Sequence, residues 1–224
     1  MSKLLALDTS SDACSLALWL DGEVTADFQF RPRQHAQALL PQIQQLLGAK
    51  GLRLEHLDAL AFGRGPGSFT GLRIAAASIQ GLALAADLPV VPVSTLQALA
   101  LQARQQYFAR QLLTVIDARM DEVYWCAWQV DEDEPRALLA EQLSRPEKVL
   151  PLLPEDQDWL LVGSGCVHAE RLPARVRARL CQEVPNLLPD AAAMVQLAAL
   201  AWERGEAVDA AAAQPVYLRD RVTG

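Results

Sequence analysis

Leu4-Leu5-Ala6-Leu7-Asp8-Thr9-Ser10-Ser11-Asp12-Ala13-Cys14-Ser15-Leu16-Ala17-Leu18-Trp19-Leu20-Asp21-Gly22 decides the architecture of this chain. Residues 4–7 are a short apolar run, 8–12 are polar, 14–20 are apolar or alternating, and Asp21-Gly22 is a dipeptide favoured in two-residue hairpins. The stretch reads as strand, turn, strand, with a third strand over 24–30. The arrangement returns near Leu112, where Asp117 and Asp121 fall at one constant offset from Asp8 and Asp12, each pair bracketing a turn between two strands. Such a repeat indicates a duplicated α/β chain.

Working outward, the apolar period changes after Gln34: Leu39, Leu40, Ile43, Leu46 and Leu47 fall at helical spacing, and Gly48 and Gly51 end the segment. A strand over 57–62 leads into the loop Gly63-Arg64-Gly65-Pro66-Gly67-Ser68-Phe69-Thr70-Gly71. The helix expected over 72–86 is apolar nearly all round and rich in small residues (Ala75, Ala76, Ala77, Ser78, Gly81), so it needs cover on more than one side. In the second half, the strand Trp159–Val162 meets Gly163-Ser164-Gly165 where the first half has Gly63 to Gly67. Two lobes are therefore expected. One covers 1–100, with 205–224 packing back on it, and the other covers 101–204, with a ligand cleft between them.

With 224 residues, 51% of them hydrophobic and 21% charged, the chain buries enough surface to fold without disulfides or a structural metal, and a disordered tail is excluded. Cys14, Cys126, Cys166 and Cys181 have no C-x-x-C spacing and read as reduced, mostly packed thiols. His35, His56 and His168 lack the paired spacing of a zinc or iron site. No apolar run of about 18 residues is expected, and the start meets Asp8 after four apolar residues, so neither signal peptide nor anchor is expected and the location reads as cytoplasmic. The net charge of -7 is uneven: residues 1–112 carry 9 basic and 8 acidic side chains, residues 113–224 carry 11 and 19. An acidic chain repels phosphate backbones, so any nucleic-acid substrate must be held mainly by something else. The basic cluster Arg171, Arg175, Arg177, Arg179 reads as a solvated helix face.

The glycine loop has no Lys-Ser or Lys-Thr after its last glycine, so it is no Walker A loop, and its third glycine comes one residue late for G-x-G-x-x-G. Two readings stay open: an anion site at a helix start, or a turn whose glycines let two backbones approach. Ser68 is not spaced as a G-x-S-x-G nucleophile. Asp8-Thr9-Ser10 suits either a metal-nucleotide phosphate or a hydrogen-bonded Asx turn, and Asp117 and Asp121 share both readings.

Several strings resemble the TsaB (YeaZ) family, in order from residue 4 to about 219. They are Leu5-Ala6-Leu7-Asp8-Thr9-Ser10, His35 with Leu39-Leu40-Pro41, Gly65-Pro66-Gly67-Ser68-Phe69-Thr70-Gly71-Leu72-Arg73, Val93-Ser94-Thr95-Leu96, Asp117-Ala118-Arg119 with Glu122-Val123-Tyr124, and Pro215-Val216-Tyr217-Leu218-Arg219. The resemblance implies the actin, sugar kinase and Hsp70 fold of two RNase H-like lobes. It implies an accessory, non-catalytic role in forming threonylcarbamoyladenosine (t6A) next to the tRNA anticodon. The catalytic paralogue, TsaD, carries a metal-binding H-x-x-x-H whose histidines fall on Thr95 and Leu99 here, and its metal-binding aspartate falls on Asp190. Its Gly-Gly turn followed by Asn, which holds adenine nucleotide, is replaced by Gly163-Ser164-Gly165-Cys166. No catalytic residue, metal or tightly bound cofactor is then expected, ATP being used by the complex; vestigial nucleotide contacts fall on Asp8, Thr9, Ser10, Gly65, Gly67, Ser68, Gly163 and Gly165. By analogy with the family, His35, Leu39, Leu40, Ile43, Leu47, Leu72, Arg73, Ala76, Ala77 and Gln80 form the partner interface. The implied partners are TsaD, the ATPase TsaE, a second copy when isolated, and tRNA only through the complex. A kinase-like ATP-dependent enzyme and a glycopeptidase of the M22 type are the alternatives.

Overall fold

Strands β1 (Lys3–Asp8), β2 (Ala13–Leu20) and β3 (Glu23–Phe30) form an antiparallel meander, and its β2–β3 turn places Asp21 and Gly22 at φ 52° and 101°. Positive φ at both central residues is the geometry of the tight hairpin that Asp-Gly favours. Helix α1 (His35–Ala49) follows, then β4 (Ala59–Gly65), α2 (Phe69–Ala86), β5 (Val90–Ser94) and α3 (Thr95–Tyr107). The first sheet has the order β3-β2-β1-β4-β5, with β4 parallel to both β1 and β5. The second half repeats the plan with β6 (Gln111–Arg119), β7 (Glu122–Gln129), the short β8 (Arg136–Ala137) and β9 (Gln142–Ser144), then β10 (Trp159–Val162), α4 (Ala174–Arg177), β11 (Leu180–Val184) and α5 (Ala191–Glu203). Its sheet order is β11-β10-β6-β7-β8, with β6–β7 antiparallel and β10 parallel to β6 and β11. Replacing β6, β7, β10 and β11 by β1, β2, β4 and β5 superimposes the two orders, which is the RNase H-like plan twice over, the actin, sugar kinase and Hsp70 fold. The computed structural model from which these elements are taken describes residues 2–131, 134–150 and 157–219.

The apolar run at β1 reflects burial on both faces of the first sheet. Adjacent residues of a strand point to opposite faces: Ser15 Oγ meets the start of α5 at Asp190 and Ala191, whereas Cys14 Sγ donates to Gln42 Oε1 on α1. Helix α5 thus covers one face, while α1 and α2 cover the other. Leu5, Leu7, Leu16, Leu18, Leu39, Ile43, Phe62 and Ile79 fill the core between sheet and helices. In the second unit Leu113, Val115, Trp125, Trp159 and Leu161 do the same.

The chain divides into Met1–Ala98 with Pro189–Val216, and Leu99–Leu188 with the segment from Tyr217 onward. This differs from the sequence-based boundaries at the C-terminal end. Residues 189–204 lie with the first unit, because α5 packs its Ala193, Met194, Leu197 and Ala198 face against β1, β2, β4 and β5. The segment expected to pack back from 205 to 224 does so through Val208, bridged to Val90, and through Val216, but Tyr217–Arg219 go with the second unit, and 220–224 lie outside the described residues. Helix α2, 18 residues long with a mean hydropathy of 1.3, reaches the length and average composition of a bilayer span, although Arg73, Ser78 and Gln80 interrupt its apolar run. Its alanines and leucines raise the average, and its inner residues Leu72, Ala75, Ala76, Ile79 and Ala83 belong to the core.

Candidate functional site: a closed turn and an open helical face

Asp8 ends β1, and its Oδ1 accepts hydrogen bonds from Ser10 N at 3.0 Å and Ser10 Oγ at 2.9 Å, an Asx turn. Thr9 Oγ1 donates to the Gly71 carbonyl at 2.7 Å, and Ser68 N donates to the Ser10 carbonyl at 2.8 Å. Strand β4 runs through Gly65 and α2 begins at Phe69, capped by Ser68, whose Oγ accepts from Gly71 N at 3.4 Å. The expected nine-residue loop is therefore three connecting residues, Pro66-Gly67-Ser68, and the helix starts three residues earlier than its periodicity indicates. A Cβ on Gly71 would collide with the Thr9 carbonyl, one on Gly67 would lie 2.8 Å from Ser10, and one on Gly63 would collide with Asp8 Oδ2. Of the two readings of the glycine string, close backbone approach describes this geometry. Of the residues expected as vestigial nucleotide contacts, Thr9 and Ser10 bond through their hydroxyls and Ser68 through its amide inside the turn, and Gly65 packs against Leu72 and the Val216 carbonyl. Gly71→Ala is expected to destabilise the chain by about 2–3 kcal/mol through overpacking, seen as an earlier urea midpoint. An unchanged midpoint would contradict the close approach.

The buried Asp8 Oδ2 has no hydrogen-bond partner. Burial pushes this carboxyl up to about 7, with the hydrogen bonds from Ser10 opposing and Asp190 adding to the rise. Asp190 caps α5: its Oδ1 accepts from Ala192 N at 2.8 Å and from Ser15 Oγ at 2.9 Å. Thr95 and Leu99, where the resemblance leads us to expect the paralogue's histidines, are buried and offer no imidazole, while Asp190 caps α5. These residues do not fit the paralogue's metal.

In the second unit Gly163 (φ 109°) lies against the Val115 carbonyl and Gly165 against Val115 Cβ, so both glycines press the 3-10 helix Ser164–Arg171 onto β6. Ser164 Oγ accepts from Asp117 N at 3.1 Å, and Asp117 also faces His168 Nε2 at 3.5 Å and Arg119 at 3.3 Å. Arg171 bonds both Asp121 and Glu147 and holds their carboxyls below the usual range. Arg177 pairs with Glu170, so much of the basic cluster is engaged with neighbouring acids. Burial pushes the Cys14 thiol up to about 11 and those of Cys126 and Cys166 up to about 12, which leaves them protonated and inert at neutral pH. Cys181 is exposed, and the other three are packed, in keeping with the expectation that most of the four are.

The remaining feature is the outer side of α1 and α2. Of the residues expected to meet a partner, His35, Leu39, Ile43, Leu47, Leu72 and Ala76 are buried in the chain's own core, because the period that marks a helix's apolar face marks the face turned to its own sheet. Leu40, Arg73 and Ala77 are exposed, and half-buried Gln80 donates to the Ala213 carbonyl. Phe69, Arg73, Ala77, Gly81 and Ala85 recur at four-residue spacing along α2 as an open stripe, with Leu84 beside it 73% exposed. On α1, Leu40, Gln44, Gln45 and Gly48 are open. Phe69, Leu84, Gln44 and Gln45 are open as well, though not among the residues read as the partner interface; of these only Phe69 falls in the spacing of four along α2. Across α1 and α2 the only Asp, Glu, Lys or Arg is Arg73, whose guanidinium lies 4.0 Å from the Phe69 ring centroid. A Cβ on Gly48 or Gly81 would meet nothing within 4 Å, so nothing inside the chain requires glycine there.

The family described as TsaD, tRNA N6-adenosine threonylcarbamoyltransferase, matches residues 29–222. The tRNA threonylcarbamoyladenosine biosynthesis protein TsaB of Escherichia coli K12 is 41% identical, over 98% of this chain and 96% of that protein; its namesake in Haemophilus influenzae is 39% identical, over 98% and 94%. The solved structure of YeaZ from Pseudomonas aeruginosa is 45% identical and overlays with a TM-score of 0.93 over 97% of this chain and 100% of that one. A turn closed on itself and an open helical face with Arg73 as its one charge thus sit on a scaffold shared along nearly its whole length with these proteins, and the chain belongs to the TsaB family, within the wider TsaD family.

Proposed function

We propose that this chain acts in tRNA threonylcarbamoyladenosine biosynthesis as a non-catalytic subunit that pairs, through the outer face of α1 and α2, with the matching helices of a catalytic TsaD paralogue. The observation that carries this reading is the open face itself: two helices with one charged side chain between them, an exposed Leu40 and Leu84, and a low stripe of Ala77, Gly81 and Ala85. Exposed apolar faces of this kind mark protein interfaces, and small residues permit close approach of a partner helix. The pairing holds the paralogue in its active arrangement and completes the surface on which the ATPase TsaE docks. A subunit shifts its partner's population only by the difference in affinity between the partner's states. The isolated chain forms a homodimer through the same face, since paralogous surfaces are nearly self-complementary. ATP is consumed by the complex rather than bound here, tRNA is engaged through the complex, and the assembly works in the cytoplasm.

The family membership supports the pathway, and the internally bonded Asp8–Ser10 turn supports the absence of chemistry at that turn. Depleting this chain and measuring tRNA nucleosides by mass spectrometry tests the pathway, and co-purification with the paralogue tests the pairing. Loss of the modified nucleoside together with recovery of the paralogue is expected. Normal modification after depletion would refute the reading. Gly81→Ala separates the surface from the fold. It is expected to raise the stability of the isolated chain by about 0.5–1 kcal/mol, as for an exposed helix interior, while weakening pairing. Unchanged pairing would remove Gly81 from the interface.

A further inference from the structure

Two hairpins of this chain turn through two residues of positive φ, and only one has the sequence for it. Between β2 and β3 the turn is Asp21-Gly22; between β6 and β7 it is Met120 (φ 56°) and Asp121 (φ 60°), preceded by Arg119 at φ 61°. Residues with a Cβ adopt this region rarely, and the two-residue turn strongly prefers Asn-Gly, Asp-Gly or Gly-Gly at its centre. Three successive non-glycine residues there need holding from outside the turn. The strand register brings Arg119 opposite Glu122, with an irregularity between Asp117 and Arg119.

Besides the Arg119–Asp117 ion pair, ties from three residues bear on this turn. Arg119 N donates to Asp117 Oδ1 at 2.9 Å, a bond between near neighbours, and exposed Arg171 donates to Asp121 Oδ1 at 2.8 Å. The third comes from the opposite end of the chain. Arg219, its side chain 17% exposed, donates through Nη2 to the Ala118 carbonyl at 3.2 Å, the Arg119 carbonyl at 3.5 Å and Glu122 Oε2 at 2.6 Å, and its Nη1 lies 3.3 Å from Met120 Sδ. One guanidinium thus touches both strand ends and the first central residue of the hairpin. Its planar fork meets several acceptors in one fixed geometry, which the freely rotating donors of an ammonium do not.

We propose that Arg219 is a positioning residue, a C-terminal latch that sets the left-handed β6–β7 turn and with it the outward placement of Arg119 and Met120. The latch takes the place of the glycine that the first hairpin carries in its own sequence. This inference is independent of the proposed pathway and partner, because its readout is local backbone motion.

Amide hydrogen exchange on the full chain tests it, comparing peptides that span 117–124 with peptides that span the β2–β3 hairpin. Arg219→Ala is expected to speed exchange in the first set by about tenfold or more and to leave the second unchanged. Arg219→Lys is expected to restore protection only in part. Adding Met120→Asn and Asp121→Gly to Arg219→Ala gives the turn its own preference, and protection is expected to return without the latch. Unchanged exchange in Arg219→Ala would overturn the proposal, as would faster exchange that the Asn-Gly turn leaves uncorrected. If Arg219→Ala alone does not fold, recovery of folding in the triple variant supports the latch, and failure to recover overturns it.

Discussion

Asp8→Asn is expected to flatten part of the pH dependence of unfolding between about pH 4 and pH 8. Asp8 is fully buried at the end of β1, with Oδ2 unpartnered against Gly63, so its charged form is disfavoured in the folded chain and its carboxyl titrates near 7 instead of the ordinary 3.8. A raised folded value means that the folded chain holds a proton which the unfolded chain has already released. The stability from that proton is complete below about pH 4 and is lost as pH rises through 7. The full loss is on the order of 4 kcal/mol for a shift of this size, about 3 kcal/mol of it between pH 5 and pH 8. Asn cannot ionise, so the variant lacks this slope and gains on the native chain by that amount as pH rises. Urea unfolding of both chains at pH 5 and pH 8 measures the change in the gap. A gap that stays constant would show that Asp8 does not titrate in this range.

The same neighbourhood shows how far the sequence could be read. Apolar runs, the Asp21-Gly22 hairpin and the constant offset between Asp8/Asp12 and Asp117/Asp121 are local or repetitive signals, so strand, turn and duplication were legible without contacts. The end of β4 was not, because glycine reads as loop whether it turns the chain or lets Asp8 lie against the strand at Gly63. Nor was the allegiance of α5: its run Ala191–Leu200 is apolar nearly all round, so its periodicity names no particular sheet. The expected partner face suffered from a related ambiguity. Leu39, Ile43, Leu72 and Ala76 have the spacing of an apolar stripe, but a stripe marks burial without saying against what, and here it is the chain's own first sheet. The outer face is legible instead as missing charge: fifteen residues of α1 and eighteen of α2 with Arg73 as their sole Asp, Glu, Lys or Arg, where a solvated helix face would carry several.

That distinction decides which substitution is informative. Ala76 is buried, so a bulky charge there would disrupt the core and report only on folding. Ala77, its neighbour, is exposed in the middle of the open stripe, between Arg73 and Gly81. Ala77→Arg is expected to leave the thermal midpoint of the isolated chain nearly unchanged, as surface substitutions usually alter stability by less than about 0.5 kcal/mol. Against a partner helix packed on the stripe, the same arginine would bury a bulky, unpaired charge beside the charge of Arg73. An uncompensated charge of this kind destabilises by about 3–5 kcal/mol, more than a hundredfold in affinity. The most direct test is to supply Ala77→Arg as the only copy of this chain in cells and to measure modified tRNA nucleosides and recovery of the catalytic paralogue on the same sample. The open-face account predicts a correctly folded variant with both the pairing and the modification lost. Normal modification with pairing lost, or pairing retained at full strength, would contradict it.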